Sequence, residues 1–521
     1  MKKYILTVLT AILIFAGVFA QNNCPVIPMP NNVQTKEGCC KIGKKICVNV
    51  NADELKDITT YLKESLNRFV DIRIVKNDKH PSIFLRLLKN SSSPSDGYTL
   101  NVEKDKIVIE SSTKGGILNG TQTLLQLCMF SPKHGGITNI ACCSIKDYPR
   151  YQWRGLMLDE SRYFFGEKVV KHLMDYMALY KLNKFHRHLT DDPGWRIEIK
   201  KYPKLTKVGG VGTYEDPEAK AQYYTQKEIK RIVSYAAQRG IEVIPEIDMP
   251  GHAASSNHAY PEYNGGGSEI KPDFTFNPGK EETYQYLTNI LKEVTKLFPS
   301  SYIHLGGDEV HYGNEHWKEK PEVQTLMKEN NLKDLKAVER YFIRRMADSV
   351  KFMGKHVMGW DEVIESGLDY SNTRVMWWRH DKPQLLKEAL DKGYEVVMCP
   401  RIPMYFDFIQ DEKHKDGRVW GGKFCSLESV YQFPPDTLDC DNKHIAGIQT
   451  CVWSERIQNN KRLDFMIFPR LSAMSEAAWT NNENKSLEGF YPRLKKMIKL
   501  YDKEGIYYFD VFNKNNHPEP K

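Results

Sequence analysis

The sequence lacks features that mark three common classes of protein. It has 74 Lys and Arg against 66 Asp and Glu, a net charge of +8, without a basic cluster, whereas nucleic-acid binding needs clustered positive charge. Its 11 cysteines include no Cys-x-x-Cys pair, a common spacing in zinc sites. After residue 20, no apolar run approaches the ~20 residues that span a bilayer. We therefore expect no nucleic-acid partner and no integral membrane segment in the mature chain.

Residues 1–20 have the pattern of a bacterial secretory signal peptide. The segment MKKYILTVLTAILIFAGVFA combines two lysines, an apolar run and the small residue Ala20, which is typical of a segment removed on export. A membrane anchor is one alternative, but the apolar run is short. Lipidation of Cys24 is another, although Asn23 before it is not the small residue that lipoprotein processing prefers. We expect an exported protein, periplasmic or extracellular, that begins near Gln21.

Residues 21–147 are predicted to form a small α/β accessory domain. GYTLNVEKDKIVIESS alternates apolar and polar residues on both sides of a Lys-Asp turn, as a β-hairpin does. GGILNGTQTLLQLCMF then places apolar residues at helical spacing. No set of chemically active residues occurs here, so we expect this domain to have a supporting role.

Residues 148–521 are predicted to form a (β/α)8 TIM barrel. Short β-rich runs separated by helical segments occur at 154–161, 184–191, 241–250, 302–309, 356–362, 374–379, 394–400 and 445–455. Eight such units over this length are the signature of that fold. Barrel enzymes place their chemistry at the carboxyl ends of the strands. Conspicuous side chains do follow these runs: Asp159, Arg162, Asp191, Asp248, His252, Asp308, Glu309, Trp360, Asp361, Trp378, Trp453 and Glu455.

The adjacent acids Asp308 and Glu309 are the strongest candidates for catalysis. A second pair, Asp361 and Glu362, also ends a strand, so the dipeptide alone means little. In HLGGDE, however, Gly306 and Gly307 remove side chains, which lets a ligand or a sharp backbone bend come close.

His186 and His188 share one face of a strand, as the histidines of some metal-dependent barrel hydrolases do. Such a metal site needs further ligands from other strand ends, where this sequence has Trp360 and Trp378. We therefore interpret the histidines as hydrogen-bonding barrel residues and expect no metal and no cofactor. Tryptophans beside carboxylates indicate instead a sugar site, where aromatic faces stack on the pyranose ring and acids bind hydroxyls.

Several long motifs occur in the order and spacing of a known family. DYPRYQWRGLMLDESRYF, FHRHLTDDPGWRIEIKKYPKL, EVIPEIDMPGH, HLGGDEV, GWDE and VWSE resemble those of glycoside hydrolase family 20, the β-N-acetylhexosaminidases. The similarity runs from about Asp147 to near the C-terminus. It implies retaining removal of terminal β-linked N-acetylglucosamine or N-acetylgalactosamine from glycans, by the substrate-assisted route that departs from the two-carboxylate scheme.

The resemblance also implies roles for individual residues. Glu309 would be the general acid/base, and Asp308 would orient the substrate's acetamide and stabilise the oxazolinium. Tyr405 would hold the acetamide oxygen. The remaining roles would be walls of the acetamido pocket for Trp360, Trp378 and Trp453, contacts to ring hydroxyls for Arg162, Asp407 and Glu455, and a pair that sets the protonation of Glu309 for Asp191 and His252.

Two positions depart from the family pattern. Arg187 stands where Trp is frequent, and Pro193 where a polar residue is frequent. Because Arg187 alternates away from the two histidines, we predict that it pairs with an acid such as Glu246.

Some questions stay open at this stage. A metal-dependent hydrolase and a non-catalytic glycan-binding barrel are the alternative functions. The motifs favour neither gluco- nor galacto-configured sugars, and they give no oligomeric state or disulfide pairing. The segment 257–274, rich in Gly and aromatic residues, is either a wall of the leaving-group subsite or an ordinary loop.

Overall fold

The computed structural model describes residues 24–75, 82–89, 95–435, 438 and 443–520. The predicted signal peptide lies outside these residues. Within the described chain, no helix is both long and apolar enough to cross a membrane.

The N-terminal residues form a mixed sheet. Its strands, in spatial order, are Asn32–Ile42, Ile137–Asp147, Tyr98–Val102, Lys106–Ser111, Ser82–Leu87, Lys45–Val50 and Arg73–Ile74, with Lys133–His134 paired to Ile137–Asp147. The predicted hairpin is confirmed, since Leu100 lies opposite Ile109 in an antiparallel pair.

Two helices, Lys56–Val70 and Lys114–Phe130, pack with this sheet. The second helix is the one predicted from helical spacing. Thr113 begins it, because its hydroxyl accepts a hydrogen bond from the Gly116 N–H at 3.0 Å. Gly120 lets this helix approach the sheet, because a Cβ there would lie 2.5 Å from a methyl of Ile109.

The rest of the chain closes a barrel of eight parallel strands, which confirms the predicted fold. The strands are β1 (Trp153–Asp159), β2 (Lys184–His188), β3 (Glu242–Met249), β4 (Tyr302–Gly306), β5 (His356–Trp360), β6 (Thr373–Trp377), β7 (Glu395–Met398) and β8 (Ile445–Val452). Each coincides with one predicted run, and most of those runs continue past the strand into the functional residues.

Helices connect the barrel strands and surround the barrel. The longer ones are Gly166–Leu179, Gln226–Ala237, Glu281–Leu297, Pro321–Glu329, Leu335–Phe352, Pro383–Asp391, Asn460–Ile467, Arg470–Trp479 and Leu487–Glu504; the shorter ones are Lys204–Lys207, Ala254–Ala259, Arg401–Met404 and Leu427–Tyr431. The fifth unit differs from the prediction. Between β5 and β6 the chain forms only the 3-10 turns Asp361–Ser366 and Tyr370–Asn372, because so short a connection leaves no room for a crossing helix.

A buried ionic cluster joins the sheet domain to the barrel. Lys181 and Asp147 are both fully buried, and the Lys181 Nζ lies 3.0 Å from the Asp147 carboxylate. Tyr98 and Trp479 also donate to that carboxylate, at 2.7 and 2.9 Å. The Lys181 ammonium lies 4.4 Å from the Trp479 ring centroid. Because Asp147 ends the last strand of the sheet, the two domains share one set of buried polar contacts.

Replacing Lys181 by Met is expected to lower stability markedly. The change leaves the Asp147 carboxylate buried without its cation, and breaking a buried pair in this way costs about 3–5 kcal/mol. Urea unfolding followed by circular dichroism measures the effect. Lys44→Met is the matched control, because its ion pair with Asp71 is 3.9 Å long and largely exposed and should contribute almost nothing. Equal midpoints for the two variants would contradict this account of the junction.

Candidate active site

A cavity of about 680 Å³ opens at the carboxyl end of the barrel strands. It contains every site residue predicted from the sequence: Arg162, Asp191, His252, Asp308, Glu309, Trp360, Trp378, Tyr405, Asp407, Trp453 and Glu455. These residues follow different strands, so the barrel brings together side chains that are up to about three hundred positions apart in the chain.

The backbone after β4 turns sharply to present Asp308 and Glu309. Gly306, Gly307 and Glu309 all have positive φ angles, of 72°, 88° and 55°. A Cβ on Gly306 would lie 1.8 Å from the Asp248 carboxylate, so only glycine fits there. The glycines therefore make the bend and admit Asp248. With Glu309 in the left-handed region, the two acids no longer alternate as neighbours on a regular strand do.

The two acids differ in depth. The Asp308 side chain is 12% exposed, whereas that of Glu309 is 35% exposed. Burial raises the pKa of Asp308, with the nearby carboxylates Glu362 and Glu309 adding to the effect and His252 opposing it. The inner acid thus lies in the cavity and the outer one near its mouth.

His252 lies between these acids. Its Nε2 atom is 3.7 Å from a carboxylate oxygen of Asp308 and 3.7 Å from one of Glu309, and it makes no hydrogen bond. Its Nδ1 atom lies 3.0 Å from Asp191. Burial disfavours the charged ring, but Asp191 and Asp308 outweigh this and raise the pKa of His252 to about 9. The ring therefore carries a positive charge at neutral pH.

Asp191 receives donors from three sides. Besides His252, the Arg162 guanidinium lies 2.7 Å away and His188 Nε2 lies 2.8 Å away. Although burial acts in the opposite direction, Arg162 and His252 hold the pKa of Asp191 well below its usual range. Asp191 is therefore an ionised carboxylate that contacts both Arg162 and His252, the histidine beside Asp308 and Glu309.

Aromatic side chains form the walls of the cavity. The ring centroids of Trp360 and Trp453 are 5.7 Å apart, and Tyr405 lies 6.1 Å from Trp453. Trp378 and Tyr405 are parallel within 8°, with centroids 6.5 Å apart. Glu362 accepts the Trp378 indole N–H at 3.0 Å. The second acidic pair thus supports a wall of the cavity.

The far end of the cavity has unsatisfied acceptors. One carboxylate oxygen of the buried Asp407, Oδ1, and one of Glu455, Oε2, have no hydrogen-bond partner. Arg418 lies 2.9 Å from Asp407 and 2.6 Å from Glu455. Burial raises the pKa of Asp407 to about 7, with Arg418 opposing and Glu455 adding to the effect. Such acceptors suit a ligand rich in hydroxyl groups.

The sequence-based prediction missed several residues around the mouth. These are Tyr214, Tyr312, Arg401, Arg418 and Trp420. Tyr214, Arg418 and Trp420 lie on irregular connections, whereas Arg401 begins the short helix Arg401–Met404 and Tyr312 ends the 3-10 turn Val310–Tyr312. The tryptophan beside two glycines in VWGGK is the only signal that could have found one of them. The cavity lining includes no residue of 257–274; Phe274 packs instead behind the site, 4.7 Å from the ring of His252.

The predicted pairing of Arg187 with Glu246 is wrong. Arg187 donates to Glu160 and lies 4.8 Å from the ring of Tyr224. In the barrel register Arg187 is opposite Pro245, whereas His188 is opposite Glu246. Glu246 therefore shares the inner face with the histidines, and Arg187 points the other way.

His186 and His188 both lie against Glu246. His188 Nδ1 is 2.6 Å and His186 Nε2 is 3.0 Å from the same carboxylate oxygen. His186, Glu246 and His304 are close enough to share an ion. Burial lowers the pKa of His186 to about 4, although Glu246 opposes this. In the structure these histidines serve as hydrogen-bonding residues within the barrel.

Comparison with known proteins agrees with this geometry. The model of the glycosyl hydrolase family 20 catalytic domain matches residues 151–482, and that of the family's domain 2 matches residues 23–148. The chain belongs to glycosyl hydrolase family 20. It is therefore a glycoside hydrolase with the accessory domain and barrel of that family.

Curated relatives of this family 20 chain are β-hexosaminidases. The protein from Porphyromonas gingivalis is 34% identical over 502 residues, which cover 93% of this chain and 64% of that protein. The one from Vibrio furnissii is 33% identical over 86% of this chain and 76% of the relative. The chain thus spans about two thirds to three quarters of the length of these relatives.

Solved structures of the family superpose closely. The exo β-N-acetylglucosaminidase of Vibrio harveyi, in complex with N-acetylglucosamine, gives a TM-score of 0.86 at 32% identity and covers 94% of this chain and 79% of that one. The β-N-acetylhexosaminidase of Bacteroides fragilis gives 0.80 at 29% identity over 93% and 96% of the two chains.

Proposed function

We propose that this family 20 hydrolase is an exo-acting, retaining β-N-acetylhexosaminidase. The observation that carries the proposal is the difference in depth between the two acids, with Asp308 among the aromatic walls and Glu309 nearer the opening. An acid that protonates a leaving group must face the rest of the glycan, which extends outward. An acid that handles the substrate's own acetamide must lie inside.

The residues divide the reaction between them. The acetamide oxygen attacks the anomeric carbon, the glycosidic bond breaks, and Glu309 gives its proton to the departing oxygen. Asp308 accepts a hydrogen bond from the acetamide N–H and balances the positive charge of the oxazolinium, while the Tyr405 hydroxyl donates a hydrogen bond to the acetamide oxygen. Water, deprotonated by Glu309, then attacks the anomeric carbon, the bond from that carbon to the acetamide oxygen breaks, and the product keeps the β configuration.

The geometry supports this division of roles. A nucleophile inside the substrate reaches effective molarities of about 10⁵–10⁸ M only when it is correctly held, and the Trp360, Trp453 and Tyr405 walls provide a narrow place to hold it. Arg162, Asp407 and Glu455 lie where they can bind ring hydroxyls. His252, held by Asp191, opposes the rise in the pKa of Asp308 that burial causes and so favours the carboxylate form that the oxazolinium needs.

Hydrolysis is expected to depend on the substrate's acetamide. The protein should release 4-nitrophenol from 4-nitrophenyl N-acetyl-β-glucosaminide, and at least about 10⁴-fold more slowly, if at all, from the β-glucoside that lacks the acetamide. Spectrophotometry measures both rates, and NMR of the first-formed sugar reports retention.

The same assay separates the alternatives. Undiminished activity after dialysis against a chelator would set aside a metal-dependent hydrolase that uses His186 and His188. Binding of N-acetylglucosamine without any turnover would instead indicate a glycan-binding barrel. A panel of gluco-, galacto- and 6-sulfated termini would then define the natural sugar.

We also propose that the protein is exported and acts in the periplasm or outside the cell. Support comes from residues 1–20 alone, with their paired lysines and apolar run. Terminal N-acetylhexosamines of extracellular glycans would then be the substrate pool.

A further inference from the structure

Glu246 carries a carboxylate that the proposed chemistry does not use. It lies on the inner face of β3 and is completely buried. Side chains from three other strands contact it: His186 and His188 from β2, His304 from β4, and Trp360 from β5. A buried carboxylate is costly unless it is paired and hydrogen-bonded, so the identity of these partners shows what it holds.

One oxygen of Glu246 holds an aromatic wall. The Trp360 indole N–H donates to Oε1 at 2.9 Å, and His304 Nδ1 lies 2.9 Å from the same oxygen. A hydrogen bond to a charged acceptor is stronger than a neutral one. It therefore fixes the rotation of the Trp360 ring, which faces the cavity.

The other oxygen of Glu246 holds His188. His188 Nδ1 lies 2.6 Å from Oε2, and its Nε2 lies 2.8 Å from Asp191. Burial disfavours a charged ring, yet Glu246 and Asp191 on its two sides raise the pKa of His188 well above its usual range. A cation is thus held between two carboxylates. The second of these, Asp191, contacts His252 at 3.0 Å.

The two side chains held by Glu246, Trp360 and His188, form the two arms of this arrangement, and both contact Trp453. The ring of Trp360 lies 5.7 Å from it and the ring of His188 lies 4.9 Å from it. A shift of Glu246 would therefore move one wall of the cavity directly and a second wall through His188.

We propose that Glu246 is a positioning residue that couples the acetamide wall at Trp360 to the charged series His188, Asp191 and His252 beside the two acids. This inference rests on the proposed function. It predicts that one substitution disturbs two properties together: how well the acetamide is held for attack, and the pH at which Asp308 becomes ionised.

The test is Glu246→Gln, assayed with 4-nitrophenyl N-acetyl-β-glucosaminide across the pH range. The amide can accept a hydrogen bond at one of its two atoms only, so either the contact to Trp360 or the contact to His188 is lost. We expect kcat/KM to fall about 10–100-fold, with most of the loss in kcat rather than KM. The Glu246 charge also opposes ionisation of Asp308. Its removal should therefore move the acid limb of kcat/KM to lower pH, by about 0.5 unit or more.

A matched control is Glu339→Gln. Glu339 is also a buried carboxylate, but it lies on the outer helix Leu335–Phe352 and bonds to Lys336 at 2.8 Å. We expect it to change stability while leaving kcat and the acid limb as in the wild type. A purely structural role for Glu246 would give the same pattern as this control.

Trp360→Phe and His188→Gln test the coupling without changing Glu246. Each releases one arm, and only His188→Gln should move the acid limb. Because both act through one carboxylate, the double variant should lose much less than the product of the two single losses. Independent, multiplicative losses would overturn the coupling, as would wild-type kinetics in Glu246→Gln. Wild-type turnover of the N-acetyl substrate tests the proposed function separately, and the ratios between variants test Glu246.

Discussion

Glu309→Gln is expected to abolish most hydrolysis of natural glycosidic bonds. The amide keeps the size of the side chain but has no proton to give, and general acid catalysis contributes about 10²–10⁴-fold. The loss in kcat/KM should be near the top of that range for an N-acetylglucosamine disaccharide, whose leaving group needs a proton. It should be much smaller for the 4-nitrophenyl glycoside, whose leaving group departs as a stable anion.

The comparison between leaving groups identifies the role. Because kcat/KM includes only the steps through bond cleavage, it isolates proton donation from the later attack of water. Glu365→Gln is the control, since this acid lies at the surface, 2.6 Å from Arg340, and should leave both substrates unaffected. Equal losses for the two leaving groups would show that Glu309 is not the proton donor.

Asp308→Asn is expected to have an effect of similar size through a different step. The amide cannot carry the negative charge that balances the oxazolinium, and losing one preorganised electrostatic group of this kind costs about 10²–10³-fold in kcat. Because the acetamide itself attacks, the wild-type rate should fall steeply along a series of N-acetyl, N-fluoroacetyl and N-difluoroacetyl substrates.

The Asp308→Asn variant and the fluorinated substrates test the same step, the attack by the acetamide, in two independent ways. If Asp308 stabilises the cyclised acetamide, Asp308→Asn should leave binding of the substrate nearly unchanged while kcat falls. Asp464→Asn is a suitable control. Asp464 lies on the outer helix Asn460–Ile467, and burial raises its pKa to about 7, as burial also raises the pKa of Asp308. A wild-type rate that is indifferent to fluorination would contradict the substrate-assisted route.

Local sequence patterns predicted the barrel well because each strand is a short run of buried residues with its functional side chain just beyond it. The site residues followed from the same rule, since all strands of a parallel barrel end at one face. Asp308 and Glu309 were identifiable from the two glycines before them, whose positive φ angles the structure shows.

Relations between strands and loops were harder to predict. Arg187 was assigned the wrong partner because alternation gives the face of a residue but not the register of the neighbouring strand. Arg418 and Trp420 lie on an irregular connection whose path depends on tertiary packing. The pattern of eight units predicts a helix after β5, whereas the short link there forms only 3-10 turns.

The junction at Asp147 has a consequence for how the protein can be divided. Two family models meet close to this residue, which suggests a natural place to cut a minimal catalytic fragment. Yet a barrel fragment starting after it would keep Lys181 and Trp479 with their shared acceptor gone, and would uncover the backbone of Leu179 that Gln126 now satisfies at 3.0 Å. The accessory domain is thus part of the barrel's folding unit, and fragments for expression or engineering should retain it.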